Sequence, residues 1–297
     1  MGTLDAELTA AAGEADKAGG VRALDLDGDA AALDALWQMT LGTVWPMEPG
    51  RLGSIATGGS VLEGDNALDA AVLVNRSALV ALMVAPHRQR RGLGTALLHS
   101  TAPASIGSGG DKYLWPGVPK NLPGAMRFFD RAGWREAYVA WDYCAQLDLY
   151  RPPALVAAPG VRYLRSSSDR HDEVVDFNRR NFPHWARHFE RLPPGCAFLA
   201  VDNAERVVAS LLTEWDGLGD PGAWRRLLGA NLGSLGAVGV DPQMQRRGIG
   251  TALVVHATQD LQSVGVSQCH VGWLVRTSFY ANAGFKPWRA YRMLERH

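Results

Sequence analysis

The sequence predicts an α/β chain with mixed sheets, built from two successive domains of one kind, and three observations predict it. The first is Val240-Asp241-Pro242-Gln243-Met244-Gln245-Arg246-Arg247-Gly248-Ile249-Gly250-Thr251, which reads as the end of a strand, a basic turn with two glycines, and the start of a helix. The second is its repetition as Val84-Ala85-Pro86-His87-Arg88-Gln89-Arg90-Arg91-Gly92-Leu93-Gly94-Thr95. Arg90 and Arg246 are 156 residues apart in a chain of 297, so the repeating unit is a whole domain rather than a solenoid element. The third is that strands and helices succeed one another in the same order around both turns.

A strand-to-helix turn of this kind aims several backbone N–H groups and the positive end of a helix dipole at one point, where a phosphate or pyrophosphate is held. Gly92, Gly94, Gly248 and Gly250 let the backbone come close to the anion, and Arg90, Arg91, Arg246 and Arg247 add charge for it. Neither copy carries the Gly-Lys-Ser/Thr of a nucleoside-triphosphatase loop or the third glycine of a dinucleotide fingerprint.

Gln89-Arg90-Arg91-Gly92-Leu93-Gly94 and Gln245-Arg246-Arg247-Gly248-Ile249-Gly250, each after Val-x-Pro, resemble the coenzyme A pyrophosphate loop of the GNAT acetyltransferase superfamily. Two copies at domain spacing resemble the tandem GNAT proteins. The resemblance implies two domains, each a mostly antiparallel central sheet flanked by helices, with two neighbouring strands splayed beside the glycine turn. It also implies acetyl-coenzyme A as co-substrate. The expected layout is a tail at 1–20, a first domain at 21–150, a linker at 151–160 and a second domain at 161–297.

At 47% hydrophobic the chain can bury two cores of ordinary size. Thirty basic and thirty acidic residues cancel, so no global field favours nucleic acid or an anionic membrane, and anion binding is expected only at the two turns. Cys144, Cys196 and Cys269 are odd in number and lack a Cys-x-x-Cys, which argues against a disulfide framework and a zinc site. No metal is expected, and a cytoplasmic monomer or homodimer is. No apolar run approaches a membrane span, and the first twenty residues lack the order of a secretory signal.

Along the first half, Val21 to Leu26 reads as a strand, and Ala30 to Met39 as a helix with Leu33, Leu36 and Trp37 on one face. Trp45-Pro46-Met47 breaks the pattern, with Trp45 and Met47 as candidates to line a pocket or to pack under a loop. Strands are expected at Ser60 to Leu62, Asp69 to Val74 and Ala78 to Ala85, then the first turn and a helix to about Ala104. A strand at Lys112 to Trp115, a helix through Ala125 to Phe129 ended by Gly133, and a strand from Trp134 to Leu147 complete the unit.

Arg151-Pro152-Pro153 opens a linker that runs to Gly160. The second half restarts with a strand at Val161 to Leu164 and a helix from Asp172 to Asn181, interrupted by Pro183-His184-Trp185. Strands follow at Cys196 to Val201, Arg206 to Trp215 and Ser234 to Val240. The polar insertion Asp216 to Gly233 between the last two offers Trp224-Arg225-Arg226 as a candidate lid. The helix after the second turn continues to Val264, a strand follows at Cys269 to Leu274, and Phe279 to Phe285 end a short helix and begin the last strand.

Acetyl transfer from a thioester to an amine needs a fixed donor, a hydrogen-bond donor for the thioester oxygen, and proton management. By resemblance, the oxyanion donor belongs to Val238, Gly239 and Val240, and in the first half to Leu82, Met83 and Val84. Gln245 to Thr251 and Gln89 to Thr95, Ile249 and Leu93 included, hold the coenzyme. The family's acid is a tyrosine on the short helix before a Gly-aromatic pair. Phe279-Tyr280-x-x-x-Gly284-Phe285 matches, making Tyr280 the acid candidate, whereas Phe128-Phe129-x-x-x-Gly133-Trp134 puts Phe129, without a proton to give, in its place. The second half is therefore expected to be catalytic and the first degenerate. The family's asparagine upstream of that helix is absent, with Gly272-Trp273-Leu274 standing there. Glu214 and His270 are the candidate bases, and a water chain without a dedicated base is the alternative. A small-molecule primary amine is the expected acceptor: an amino sugar, an amino-sugar thiol precursor, an aminoglycoside-like antibiotic or an amino acid. Transfer in the first half, and a non-catalytic acyl-coenzyme A-binding regulatory module, are the competing readings.

Overall fold

The computed structural model describes residues 21–65, 67–107, 113–154 and 158–296. The expected tail and part of the linker lie outside the described residues. The chain forms two compact units. One comprises the residues up to Ala140 together with Tyr291 onward, and the other Trp141–Ala290.

In the first unit, strands β1 (Val21–Ala23), β2 (Gly58–Glu63), β3 (Leu68–Asn75) and β4 (Ala78–Val84) pair antiparallel in that order. Helix α1 (Ala30–Thr40) lays Leu33, Leu36 and Trp37 against the sheet, as their spacing requires, and the short α2 (Arg51–Ile55) follows. β3 is buried on almost every residue because α1 covers one face and α3 (Leu93–Thr101) the other. β4 then runs parallel to β5 (Ser105–Ile106), but only through Ala78↔Ser105 and Leu79↔Ile106. Beyond Leu79 the two part. α4 (Pro123–Arg131) starts on the proline that the sequence marks as a helix opener.

The expected strand at Lys112 to Trp115 is absent over its described part. The pairing goes instead to β5 and to β6 (Val118–Pro119), because Trp115 spends its indole N–H on the Val80 carbonyl, 3.0 Å away, on a part of β4 with no β5 partner. β6 pairs with Tyr291 and Arg292 of β13 (Lys286–Arg296), and Arg292 forks onto Asp130 at 2.9 and 3.1 Å.

In the second unit β8 (Val161–Arg165), β9 (Ala197–Asp202), β10 (Val207–Trp215) and β11 (Leu232–Val240) repeat the antiparallel meander. β11 runs parallel to β12 (Gln268–Leu274) from Leu232↔Gln268 to Leu235↔Val271, and the two part beyond. α5 (His171–Asn181) matches its prediction, but Pro183 does not merely interrupt it. Pro183 opens a second helix, α6 (Pro183–Arg191), with its missing N–H at a helix start where none is needed. α8 (Ile249–Ser263) and α9 (Thr277–Asn282) lie on either side of β12 in sequence.

β12 also pairs antiparallel with Trp141–Gln146 of β7 (Trp134–Gln146). The units are thus cut within β7 and β13, not in the proline-rich linker. Leu147 and Tyr150 are buried in the second unit, where the Tyr150 hydroxyl donates to the Ala283 carbonyl at 2.8 Å and Gln262 donates to Leu147 O at 2.6 Å. The insertion after β10 carries α7 (Arg225–Leu228). Its Trp224 is only 3% exposed and Arg225 pairs with Asp216 at 2.5 Å, so Trp224 is packed, not poised as a free lid.

Candidate active site

The two turns share one backbone. Pro86–Arg88 and Pro242–Met244 each form a single 3₁₀ turn, Arg90 and Arg246 sit at φ +64° and +61°, and Gly92 and Gly248 at +81° and +79°. Left-handed backbone is readily open to glycine, and its repetition at the two arginines marks both as held by the turn. In each copy the glutamine amide reaches back across the turn, Gln89 to the Val84 carbonyl at 3.0 Å and Gln245 to the Val240 carbonyl at 3.1 Å. Arg90, Arg91, Arg246 and Arg247 are exposed, and α3 and α8 begin directly after the left-handed glycines. The free N-terminal amides of those helices, exposed guanidiniums and parted strands together fit a pyrophosphate with a pantetheine arm running between the strands.

The turns are pinned differently. In the first, buried Asp69 bonds His87 Nε2 at 3.1 Å and forms an ion pair with Arg88, whose Nε lies 3.2 Å away. In the second, Asp241 accepts the Gln243 amide at 2.8 Å and steadies the turn locally.

In the first unit, the parted strands open onto a cavity of about 730 Å³ lined by Val80 to Val84, by the turn residues Gln89, Arg90 and Gly94, and by Trp115, Phe128 and Phe129. The lining includes Met83, Leu93 and Thr95. Trp45 and Met47, candidates for lining a pocket, are 0% and 2% exposed. Trp45 packs edge-on against Trp115 at 5.3 Å, which in turn stacks on Trp37 at 5.7 Å. They support the wall and do not form it. Nothing in the local sequence around Trp115 flags it as a cavity residue, because its role comes from an unpaired carbonyl 35 residues earlier.

In the second unit, the equivalent stretch of β11 meets the ring of Phe182, at the junction of α5 and α6. A Cβ added at Gly239 would lie 2.3 Å from that ring, so any other residue there would have to displace Phe182. Phe182 is itself backed by Trp185 at 5.3 Å and Phe177 at 6.0 Å. Ala237, next to the pairing irregularity between β10 and β11, has φ +46°, the kind of kink that turns a strand amide out of its ladder. Val238 and Val240 pack toward α8, while Ala237 packs toward α5 and α6.

Tyr280 lies on α9, with Phe279 at 4.9 Å and Phe285 at 6.1 Å, and is 8% exposed. Burial pushes its phenol well above the ordinary value, with the neighbouring Cys269 adding to the effect. A phenol so held stays protonated at neutral pH, as a general acid must before the leaving group forms. The neighbouring Phe279 ring closes over Gly250 at 3.3 Å from an added Cβ, just as Phe128 closes over Gly94 at 3.4 Å. Phe129 takes the position of Tyr280, buried and edge-on to Phe128.

Glu214 is half-buried near the end of β10, and its Oε1 accepts the Asp220 amide at 3.0 Å. Its carboxylate therefore anchors the insertion as well as facing the sheet. His256 stacks on Tyr163 at 4.6 Å, away from these groups in role. Asp142, which the sequence reading passed over, reaches His270 and the Trp273 amide, at 3.1 and 3.0 Å.

Residues 193–287 match the family model described as an acetyltransferase (GNAT) domain. A mycothiol acetyltransferase of Actinosynnema mirum is 26% identical over 261 residues, covering 82% of this chain and 84% of its own. Another, of Nocardia farcinica, is 27% identical over 236 residues, 71% of each chain. Among solved structures, the GCN5-related glucosamine N-acetyltransferase region of a fungal multi-domain GH3 β-N-acetylglucosaminidase superposes with a TM-score of 0.83 at 26% identity. That match covers 92% of this chain and 37% of the fungal one, so the chain spans little more than a third of the larger protein. A tandem GNAT protein from the clavulanic acid biosynthesis pathway has the same fold at TM-score 0.60, 16% identity and 92% and 97% coverage. Residues 193–287 thus match a GNAT acetyltransferase domain, and the whole chain is similar to tandem GNAT N-acetyltransferases, with the strand-to-helix glycine turn built twice.

Proposed function

We propose that the second unit transfers acetyl from acetyl-coenzyme A to the primary amine of a small molecule, an amino sugar before the other acceptor classes, and that the first unit holds the coenzyme without transferring from it. The observation that carries this reading is Tyr280, a buried phenol on α9 whose raised pKa keeps it protonated, against Phe129 at the same place in the first unit. The amino-sugar preference rests on the glucosamine N-acetyltransferase region in the fungal relative.

The residues divide the work. Gln245 to Thr251 hold the pyrophosphate, with Arg246 and Arg247 supplying charge. The β11 amides at Val238 to Val240 face the thioester oxygen as its charge grows. Tyr280 protonates the departing thiolate, and Glu214 is a candidate for water-relayed proton removal from the acceptor. The three cysteines are free thiols, in keeping with a reducing, cytoplasmic setting. Among the described residues, no helix is long and apolar enough to cross a membrane.

The test is thiol release from acetyl-coenzyme A with glucosamine and a panel of other amines, for the parent chain and Tyr280→Phe. A fall of about 100-fold in kcat is expected for the variant. An unchanged kcat would move the chemistry elsewhere. A second reading is favoured by the 730 Å³ cavity of the first unit: acyl-coenzyme A binding there as a regulatory signal. Binding with no thiol release from any amine would select it.

A further inference from the structure

The sheet of the second unit carries a polar row that neither the turn nor Tyr280 uses. Strand register sets Glu214 of β10 opposite Ser234 of β11, Ser234 opposite His270 of β12, and His270 opposite Cys144 of β7. Residues paired directly share one face of a sheet. Their neighbours Leu235, Cys269, Val271, Tyr143 and Ala145 point the other way, into the core under α8. The row therefore lies on the face covered by α5 and α6, where Leu212 and Ala237 also pack. It stands one rung before the strands part at Leu235↔Val271. From Ser234 to the kinked Ala237 is three residues, roughly 10 Å of strand.

Within this row His270 is the residue that is held. Its Nε2 lies 3.1 Å from Asp142 Oδ2, with side-chain exposures of 14% and 3%. The ring stands edge-on to Trp288, at 5.6 Å and 87°. Asp142 uses its other oxygen to accept the amide of Trp273, at 3.0 Å, which steadies a residue forced to φ +58° where β12 breaks register with β7. The Asp142 carboxylate, fixed by a backbone amide, stands at ion-pair distance from Nε2 without hydrogen-bond geometry, so it orients the ring by charge. Asp142 belongs to β7, the strand that by sequence ends the first repeat.

We infer that His270 is the general base for the acceptor of the second unit and that Asp142 is its positioning residue, supplied by the first half of the repeat. This rests on the second unit being the catalytic one. The acceptor ammonium gives a proton to the His270 imidazole through water, and the neutral amine attacks. The new C–N bond forms as the C–S bond breaks, and the thiolate takes the Tyr280 proton. The amine's second proton leaves through the same water to solvent as the amide forms, and Tyr280 and His270 return to their starting states by exchange with solvent. Glu214 stands two strands away and is tied to the Asp220 amide, which leaves His270 the nearer base to the splay. The other titratable groups beside the pair are Cys144 on β7, whose thiol burial pushes up, and Arg289 on β13 near that thiol.

The test is acetylation of glucosamine by the full chain across about pH 5 to 9, the range in which histidine changes charge, with H270Q, D142N and Gly250→Val. Calorimetric acetyl-coenzyme A binding checks that each variant is folded. H270Q is expected to lower kcat at neutral pH by about 100-fold and to remove one acidic inflection from the kcat profile, the inflection that remains belonging to the acceptor's own ammonium. D142N retains an oxygen for the Trp273 amide and is expected to lose about 10-fold with that inflection displaced. An unchanged kcat and pH profile in H270Q overturns the assignment. If H270Q does not fold, a D142N profile identical to the parent's overturns it. Gly250→Val isolates the underlying reading: if it leaves the rate intact, transfer does not occur in the second unit and the dyad falls with it. A rate abolished by Gly250→Val but untouched by H270Q refutes the dyad alone.

Discussion

The two units have the same turn and different interiors. In the first, the parted strands leave a cavity of about 730 Å³, and the residue at the acid position is Phe129. In the second, the acid position holds a protonated tyrosine, and the ring of Phe182 presses on Gly239. On the proposed reading, chemistry and open space therefore fall in different halves. A duplicated turn by itself offers a place for an anion. Under the proposal, whether transfer follows depends on a hydroxyl on one helix and on what covers the unpaired stretch of one strand.

The strongest way to break this contrast is to fill each turn separately. Valine at Gly250 would put new atoms against Val240 and Phe279, whose nearest approaches to an added Cβ are 3.2 and 3.3 Å, and is expected to lower kcat/KM by about 1,000-fold. Valine at Gly94, against Phe128 and Val84, is expected to remove one calorimetric binding event while leaving the rate within about 3-fold. The reverse pattern would assign transfer to the first unit.

The acid position gives the next effect. Phe129→Tyr is expected to leave the first unit inactive when the second is disabled, because one hydroxyl without a base for the acceptor does not supply about 100-fold of acid catalysis. The raised phenol pKa also has a sign in pH. Tyr280 keeps its proton above its ordinary value of 10.0, so kcat is expected to show no alkaline loss from this residue up to about pH 10. An alkaline fall near neutrality that disappears in Tyr280→Phe would contradict the burial of that group.

Phe182→Ala sharpens the difference in shape. Opening the strand at Gly239 is expected to tighten acetyl-coenzyme A binding by several-fold and to cost about 2 kcal/mol of stability, the ring being half-buried. Titration calorimetry and chemical denaturation check both.

The smallest effect concerns the end of β13. Arg292 holds Asp130 below the usual carboxylate range, so the pair stabilises the folded first unit above the ordinary aspartate pKa and loses that contribution as pH falls through the depressed folded value. With Asp130 43% exposed, Arg292→Met is expected to cost about 1 kcal/mol at neutral pH and to flatten the acid limb of stability.

Much of this was legible from residues alone. Helix α1 followed from Leu33, Leu36 and Trp37, and both turns from their glycines, because helical period and left-handed backbone are local demands. The Tyr280 and Phe129 contrast followed from position within a repeated motif. Trp115 was assigned to a strand, and Pro183 was read as a break. A Trp's hydrogen-bond partner and a proline's place at a helix start are settled by what the neighbouring chain leaves unpaired.

The sequence by itself determined the two left-handed glycine turns, the buried faces of the helices and the residue types available to move protons. Tertiary structure decided which of those groups meet. Asp142 and His270 are 128 residues apart and come together only because β7 pairs with β12. Phe182 reaches Gly239 across a helix junction, and the compact units end within strands instead of at the linker. Local periodicity records what each segment must bury, whereas partner choice among strands depends on backbone hydrogen bonds that carry no residue code.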